Sequence, residues 1–126
     1  MDPFALRVPA QPASLALVRS ELEAWLVREG IAGQRAFDVV AAASEATSNA
    51  IEHAQQPTEP YVELEASRGG SMLTIRVHDH GQWRPPSLET DRNHGLLLID
   101  SLMTRVEILR AEGGTTVTME LDLVPD

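Results

Sequence analysis

Ser44-Glu45-Ala46-Thr47-Ser48-Asn49-Ala50-Ile51-Glu52-His53 lies inside a run from Gln34 to Ala54 that holds neither Gly nor Pro and is rich in Ala. Such a run favours helix, because Ala gives up the least conformational freedom there. Phe37, Val40, Ala41 and Ile51 are available for burial, and the small residues between them allow close packing. Glu45, Asn49 and His53 stand at i, i+4 and i+8, so a helix projects all three within a narrow arc. A carboxylate and an amide oxygen one turn apart suit magnesium, a hard cation that prefers oxygen ligands. The carboxylate can also accept a proton from an attacking hydroxyl. A solvated polar stripe has the same spacing, since motifs this short recur by chance.

Outward from this helix the chain reads as strands and one further long helix. Leu6, Val8 and Ala10 alternate with polar or small neighbours and predict a first strand, ended by Gln11-Pro12. Leu15, Val18, Leu22, Trp25 and Leu26 recur at helical spacing, with Pro12 or Ser14 to open the helix and Gly30 to close it. Beyond the break at Pro57 and Pro60, Tyr61 to Glu65 and Leu73 to Val77 alternate as a hairpin around Arg68-Gly69-Gly70. His80 to Asn93 is polar and contains Pro85-Pro86, so it reads as a long loop of the kind that forms lids or binding loops. A short apolar helix follows from Gly95 to Met103. Val106 to Leu109 and Val117 to Leu121 then read as strands joined across Gly113-Gly114. This order predicts an α+β fold: one domain spanning residues 1–126, a two-layer sandwich with helices on one face of a mostly antiparallel sheet.

The totals narrow the function classes. A chain of 126 residues can bury a core without staples, and with no Cys it has no disulfide framework or thiolate zinc site. No apolar run approaches the ~18 residues that span a bilayer, which leads us to expect a cytoplasmic protein with no membrane association. The formal charge of -9 argues against nucleic acid as a partner, because binding it needs a basic face to displace counterions. An anionic ligand would need backbone amides, a metal or a few placed cations. Apolar residues make up 43% of the chain and aromatics 4%, so the core should be aliphatic.

Three further signals carry chemistry. Asp79 ends an apolar strand, and the missing side chain of Gly81 lets backbone and ligand approach closely. An Asp buried there can accept a hydrogen bond from an exocyclic amine such as that of adenine; an ordinary strand-ending turn has the same composition. In Asn93-His94-Gly95-Leu96, a Gly beside a helix start leaves amides free, and these with the helix dipole can hold phosphate oxygens. A plain capped helix start has the same look. Gly114-Thr115-Thr116-Val117 reads as a hairpin exit in which a Thr hydroxyl, taken as that of Thr116, can reach a ligand.

In this order the signals resemble the Bergerat, or GHKL, ATP-binding superfamily of gyrase, chaperone and histidine-kinase ATPase domains. Glu45 and Asn49 match its N-box, Asp79 and Gly81 its G1 box, and Gly95 its G2 box. The small size, the Ser44 to His53 helix and the closing Gly114 to Leu121 look like the bacterial anti-sigma-factor serine/threonine kinases. The resemblance implies ATP and Mg2+ as cofactors, with Asn49 on the magnesium and Glu45 as catalytic base toward a serine or threonine. Asp79 and Gly81 would lie at the adenine. Arg92, Asn93, His94, Gly95 and Leu96 would serve the phosphates from a lid in which Arg84 can also take part, and Thr116 would complete the pocket. It further implies a STAS-domain anti-anti-sigma protein as substrate, a sigma factor as partner, and a homodimer to which Trp25 belongs unless it is core. Asn93 stands where the family usually has the first Gly of its G2 box, and Gln82-Trp83 follow Gly81 without a second Gly. A noncatalytic binding module of the same fold, or a domain of a larger signalling protein, is the alternative.

Overall fold

The computed structural model describes residues 3–55, 60–83, 98–111 and 114–123, with the side chains of 53–55 and 82–83 outside the description. In chain order the elements are β1 (Phe4–Pro9), α1 (Ser14–Arg28), α2 (Gly33–His53), β2 (Ala54–Gln55), β3 (Tyr61–Gly69), β4 (Met72–Asp79) and β5 (Gln82–Trp83). A short helix, α3, covers residues 98–102, and β6 (Arg105–Ala111) and β7 (Gly114–Asp122) follow it. Five strands form an antiparallel sheet in the order β1-β3-β4-β7-β6. This is the predicted two-layer α+β arrangement. No helix among the described residues is long and apolar enough to cross a membrane.

Alternation along the central strands decides which sheet face is covered. Val62, Leu64 and Ala66 of β3, Leu73, Ile75 and Val77 of β4, and Val117, Met119 and Leu121 of β7 are all buried. Residues two apart share a face, so the three strands together present one apolar surface. Each fully buried Leu or Ile there contributes about 1.5–3 kcal/mol. From α1, Val18, Leu22, Trp25 and Leu26 enter the same core. Trp25 is 2% exposed and packs against Phe4 with ring centroids 6.1 Å apart, so it is a core residue of its own chain. The helix ends as Gly30 foretells. At φ 74° Gly30 donates to the Val27 carbonyl while Ile31 donates to that of Leu26, the paired bonds of a left-handed C-terminal cap.

The second helix forms where expected but turns a different face inward. Its buried residues are Val39, Ala42, Ala43, Ala46, Thr47, Asn49 and Ala50, which lie against β3, β4 and β7. Of the side chains expected to be buried, Phe37 is 66% exposed, and Val40, Ala41 and Ile51 are only half-buried. Small side chains let the helix axis approach the sheet closely, so the Ala-rich stripe wins the core although it is the less hydrophobic one. The expected loop after His80 holds a further surprise, the two-residue strand β5. It pairs with β2, Ala54 opposite Trp83 and Gln55 opposite Gln82.

On the uncovered face, Glu63 pairs across the ladder with His78. It also accepts hydrogen bonds from Arg7 at 3.3 Å and meets His80 Nε2 at 2.9 Å. Burial alone would raise the Glu63 carboxyl, but the bonds to His80 and Arg7 and their charges outweigh it and hold the group below its ordinary range.

Candidate functional site

Two elements, α2 and β4, carry Glu45, Asn49 and Asp79 and pack against each other. On α2, Glu45 and Asn49 lie one turn apart, about 6 Å along the axis. Glu45 is half-buried, and Asn49 is 3% exposed. On β4, the inward series Leu73, Ile75, Val77 continues into Asp79, so the strand's period places a carboxylate where the next core side chain would stand. The β2–β5 ladder then joins the residues that directly follow α2 to those just past Asp79-His80-Gly81. The C-terminal half of α2 is thereby held to the end of β4 by backbone pairing as well as by packing.

Asp79 is 3% exposed. A carboxylate so deep costs several kcal/mol unless donors meet it, and backbone amides do. Its Oδ1 accepts from Gly81 N–H at 3.0 Å and from Thr115 N–H at 3.4 Å. The first bond is a side-chain-closed turn of the kind Asp favours. The second ties the carboxylate to the start of β7, where Thr115 stands opposite Asp79 in the ladder. Gly114 makes that approach possible. A Cβ on Gly114 would collide with the Asp79 carbonyl oxygen and lie 2.9 Å from its carbon, and the backbone there has φ 140°.

Asn49 shows the opposite state. Its amide nitrogen is buried with no hydrogen-bond partner among the described residues. A buried polar group left unmade costs about 1–3 kcal/mol, and in native proteins such a group calls for an explanation. A ligand atom would supply one. The two ends of an amide are nearly isosteric, so a half-turn presents oxygen to a cation in place of N–H to an anion. The donor set around Asp79 and Asn49 therefore fits a nucleotide with a hard cation.

Thr116 does not join this group. It pairs with His78, and its hydroxyl meets His78 Nδ1 at 2.7 Å on the uncovered face. Thr115, 1% exposed, is the threonine on the Asp79 side. The alternation of Val117, Met119 and Leu121 carries that information, since counting back by two from Val117 reaches Thr115. Gly81 is buried beside Asp79. Arg84, Arg92, Asn93, His94, Gly95 and Leu96 lie outside the described residues, as does the side chain of His53.

Comparison with known proteins agrees with this geometry. The family described as "Histidine kinase-like ATPase domain" matches residues 8–121. Among solved structures, the chain is similar to that of the RsbU and RsbW domains of Rv1364c from Mycobacterium tuberculosis, at 26% identity and a TM-score of 0.81. The match covers 97% of this chain and 32% of that one, so the chain spans about a third of its neighbour's length. The Erythrobacter litoralis EL346 blue-light activated histidine kinase matches at 20% identity and a TM-score of 0.62, over 92% of this chain and 42% of the other, which shows shared fold. The family match and the RsbW-containing neighbour support the resemblance to anti-sigma-factor kinases drawn from Glu45, Asn49 and Asp79. The chain belongs to the histidine kinase-like ATPase domain family.

Proposed function

We propose that this domain binds ATP with Mg2+ and transfers phosphate to a serine or threonine of a STAS-domain anti-anti-sigma protein, and that it also holds a sigma factor, as a homodimer. The observations that carry this reading are a buried Asp79, anchored by two backbone amides, and the buried amide nitrogen of Asn49, without a partner among the described residues, on the helix that packs against β4. Similarity to a protein with an RsbW domain gives the reading its direction.

In this mechanism Asp79 accepts the exocyclic amine of adenine, and the Gly81 and Thr115 amides keep the carboxylate aimed. Asn49 turns its oxygen to the cation, and Glu45 takes the proton from the attacking hydroxyl. Bound magnesium supplies neutralisation of the phosphate charge, and positioning accounts for most of the remaining barrier in phosphoryl transfer. We assign the phosphates to Arg92 and to the stretch Asn93 to Leu96. A second reading, a nucleotide-binding module within a larger signalling protein, is favoured by the chain's match to only 32% of its neighbour.

Calorimetric titration of MgATP tests the proposal. Asp79→Asn keeps an oxygen for the Gly81 and Thr115 amides but offers the adenine amine a donor instead of an acceptor. We expect it to stay folded and to bind ATP about 10- to 100-fold more weakly, the cost of about 1–3 kcal/mol for a buried unmade bond. Asn49→Ala should lose the magnesium dependence of binding. Absence of binding by the parent protein would refute the kinase reading.

A further inference from the structure

We propose that the uncovered face of the sheet carries a second metal site, made by Glu63, His78 and His80, for a first-row transition cation of the zinc type. It is separate from the nucleotide pocket and does not rest on that reading. The residues that build it alternate with those that build the pocket. Asp79 points into the core, and His78 and His80 on either side of it meet partners on the opposite face. The β3–β4 register sets Glu63 directly across from His78.

The three side chains are half-buried, and one ligand atom from each lies within 4.8 Å of the other two. His80 Nε2 and Glu63 Oε1 are already 2.9 Å apart. Zinc ligands at about 2.0–2.2 Å in a tetrahedral array stand roughly 3.3–3.5 Å from one another. Small rotations of the imidazoles therefore close the site, with water as fourth ligand. Two imidazoles and one carboxylate select a borderline cation over magnesium or calcium, whose ligands are oxygens.

Neighbouring groups restrain the rings. The Thr116 hydroxyl meets one nitrogen of His78 at 2.7 Å, the two imidazoles stand edge to face at 4.8 Å, and Tyr61 meets His80 edge-on at 4.9 Å. Arg7 opposes the cation. Its guanidinium lies 3.3 Å from the second oxygen of Glu63 and 4.2 Å above the Tyr61 ring, yet the side chain is 61% exposed and free to swing outward. A resident positive charge on the same carboxylate keeps affinity moderate, and this gives the proposal a signed test that a mere ion pair would not pass.

Zn2+ is titrated into the full chain by calorimetry, with Co2+ absorption reporting coordination and circular dichroism reporting folding. We expect one Zn2+ per chain. His80→Gln keeps a hydrogen-bonding side chain beside Glu63 but is a poor ligand; it and Glu63→Gln should each weaken binding by at least about 10- to 100-fold, since loss of a ligand costs no less than loss of an outer-shell partner that orients one. Arg7→Ala should tighten it. The double variant His53→Gln/His94→Gln, which removes the other two histidines, should bind as the parent does. Substoichiometric or absent binding, binding unchanged in His80→Gln, or binding lost in the His53/His94 variant would each overturn the proposal.

Discussion

Gly114→Ala is expected to destabilise the domain by about 2–6 kcal/mol and to abolish nucleotide binding. Two independent costs add at this position. A side chain at φ 140° occupies a region that only Gly visits readily, worth about 1–3 kcal/mol. The new methyl group would also strike the Asp79 carbonyl, a backbone atom locked in the β4–β7 ladder that cannot rotate aside. Overpacking of that kind costs about 1–3 kcal/mol. Relief requires the start of β7 to move off β4, which breaks the Thr115 N–H bond to the Asp79 carboxylate. Gly30→Ala is the control. It too has positive φ, but nothing lies within 4 Å of its added carbon, so it should cost only about 1–2 kcal/mol. Urea unfolding of both variants measures the difference, and equal midpoints would show that the close approach at Asp79 carries no energy.

Glu45→Gln is expected to bind MgATP as the parent does and to phosphorylate its protein substrate about 100- to 10,000-fold more slowly, the usual contribution of a positioned general base. The substitution preserves size and removes the proton-accepting charge. Glu45 lies a full turn before Asn49, on the same line of the helix, so its loss leaves both the Asp79 anchor and the Asn49 amide in place. Single-turnover transfer from γ-labelled ATP to a STAS-domain protein reads the effect apart from binding. Undiminished transfer would move the base elsewhere, and no transfer by the parent would favour the binding-module reading.

How much of this was legible beforehand depended on whether a local period carried the information. The β3–β4 hairpin was plain because Val62 and Leu64, then Leu73, Ile75 and Val77, alternate strictly with polar residues. The inward place of Asp79 was legible for the same reason, since it is the next in that alternation. The existence of α2 was clear, but its orientation was not. Phe37 is the largest apolar side chain on the helix, yet distance to the sheet rather than hydrophobicity selects the face, and Ala42, Ala43 and Ala46 permit the closer approach. Thr115 and Thr116 differ by one place, and in a strand one place exchanges the two sides of a sheet, so only the period of β7 tells which of them faces Asp79. The β2–β5 ladder has two residues in each strand and so no period at all; it exists because α2 and β4 have already brought those residues together. The resemblance supplied roles that spacing alone could not, because Glu45 and Asn49 at i and i+4 are chemically suggestive on any helix.

The order β1-β3-β4-β7-β6 also bears on how the chain is made. The hairpins β3–β4 and β6–β7 join neighbours in sequence, and each can close as soon as its second strand exists. β1 has no such neighbour. Its hydrogen-bonding partners run from Tyr61 to Ala66, so β1, the first of these five strands to be synthesised, stays unpaired until both long helices and most of β3 have followed it. Closing so long a loop costs little extra in equilibrium terms, about 0.6 kcal/mol per doubling of length, but it sets a waiting time. For that interval Phe4 and Val8 are bare, and the charged Arg7 between them is the local safeguard against their finding a strand from another chain.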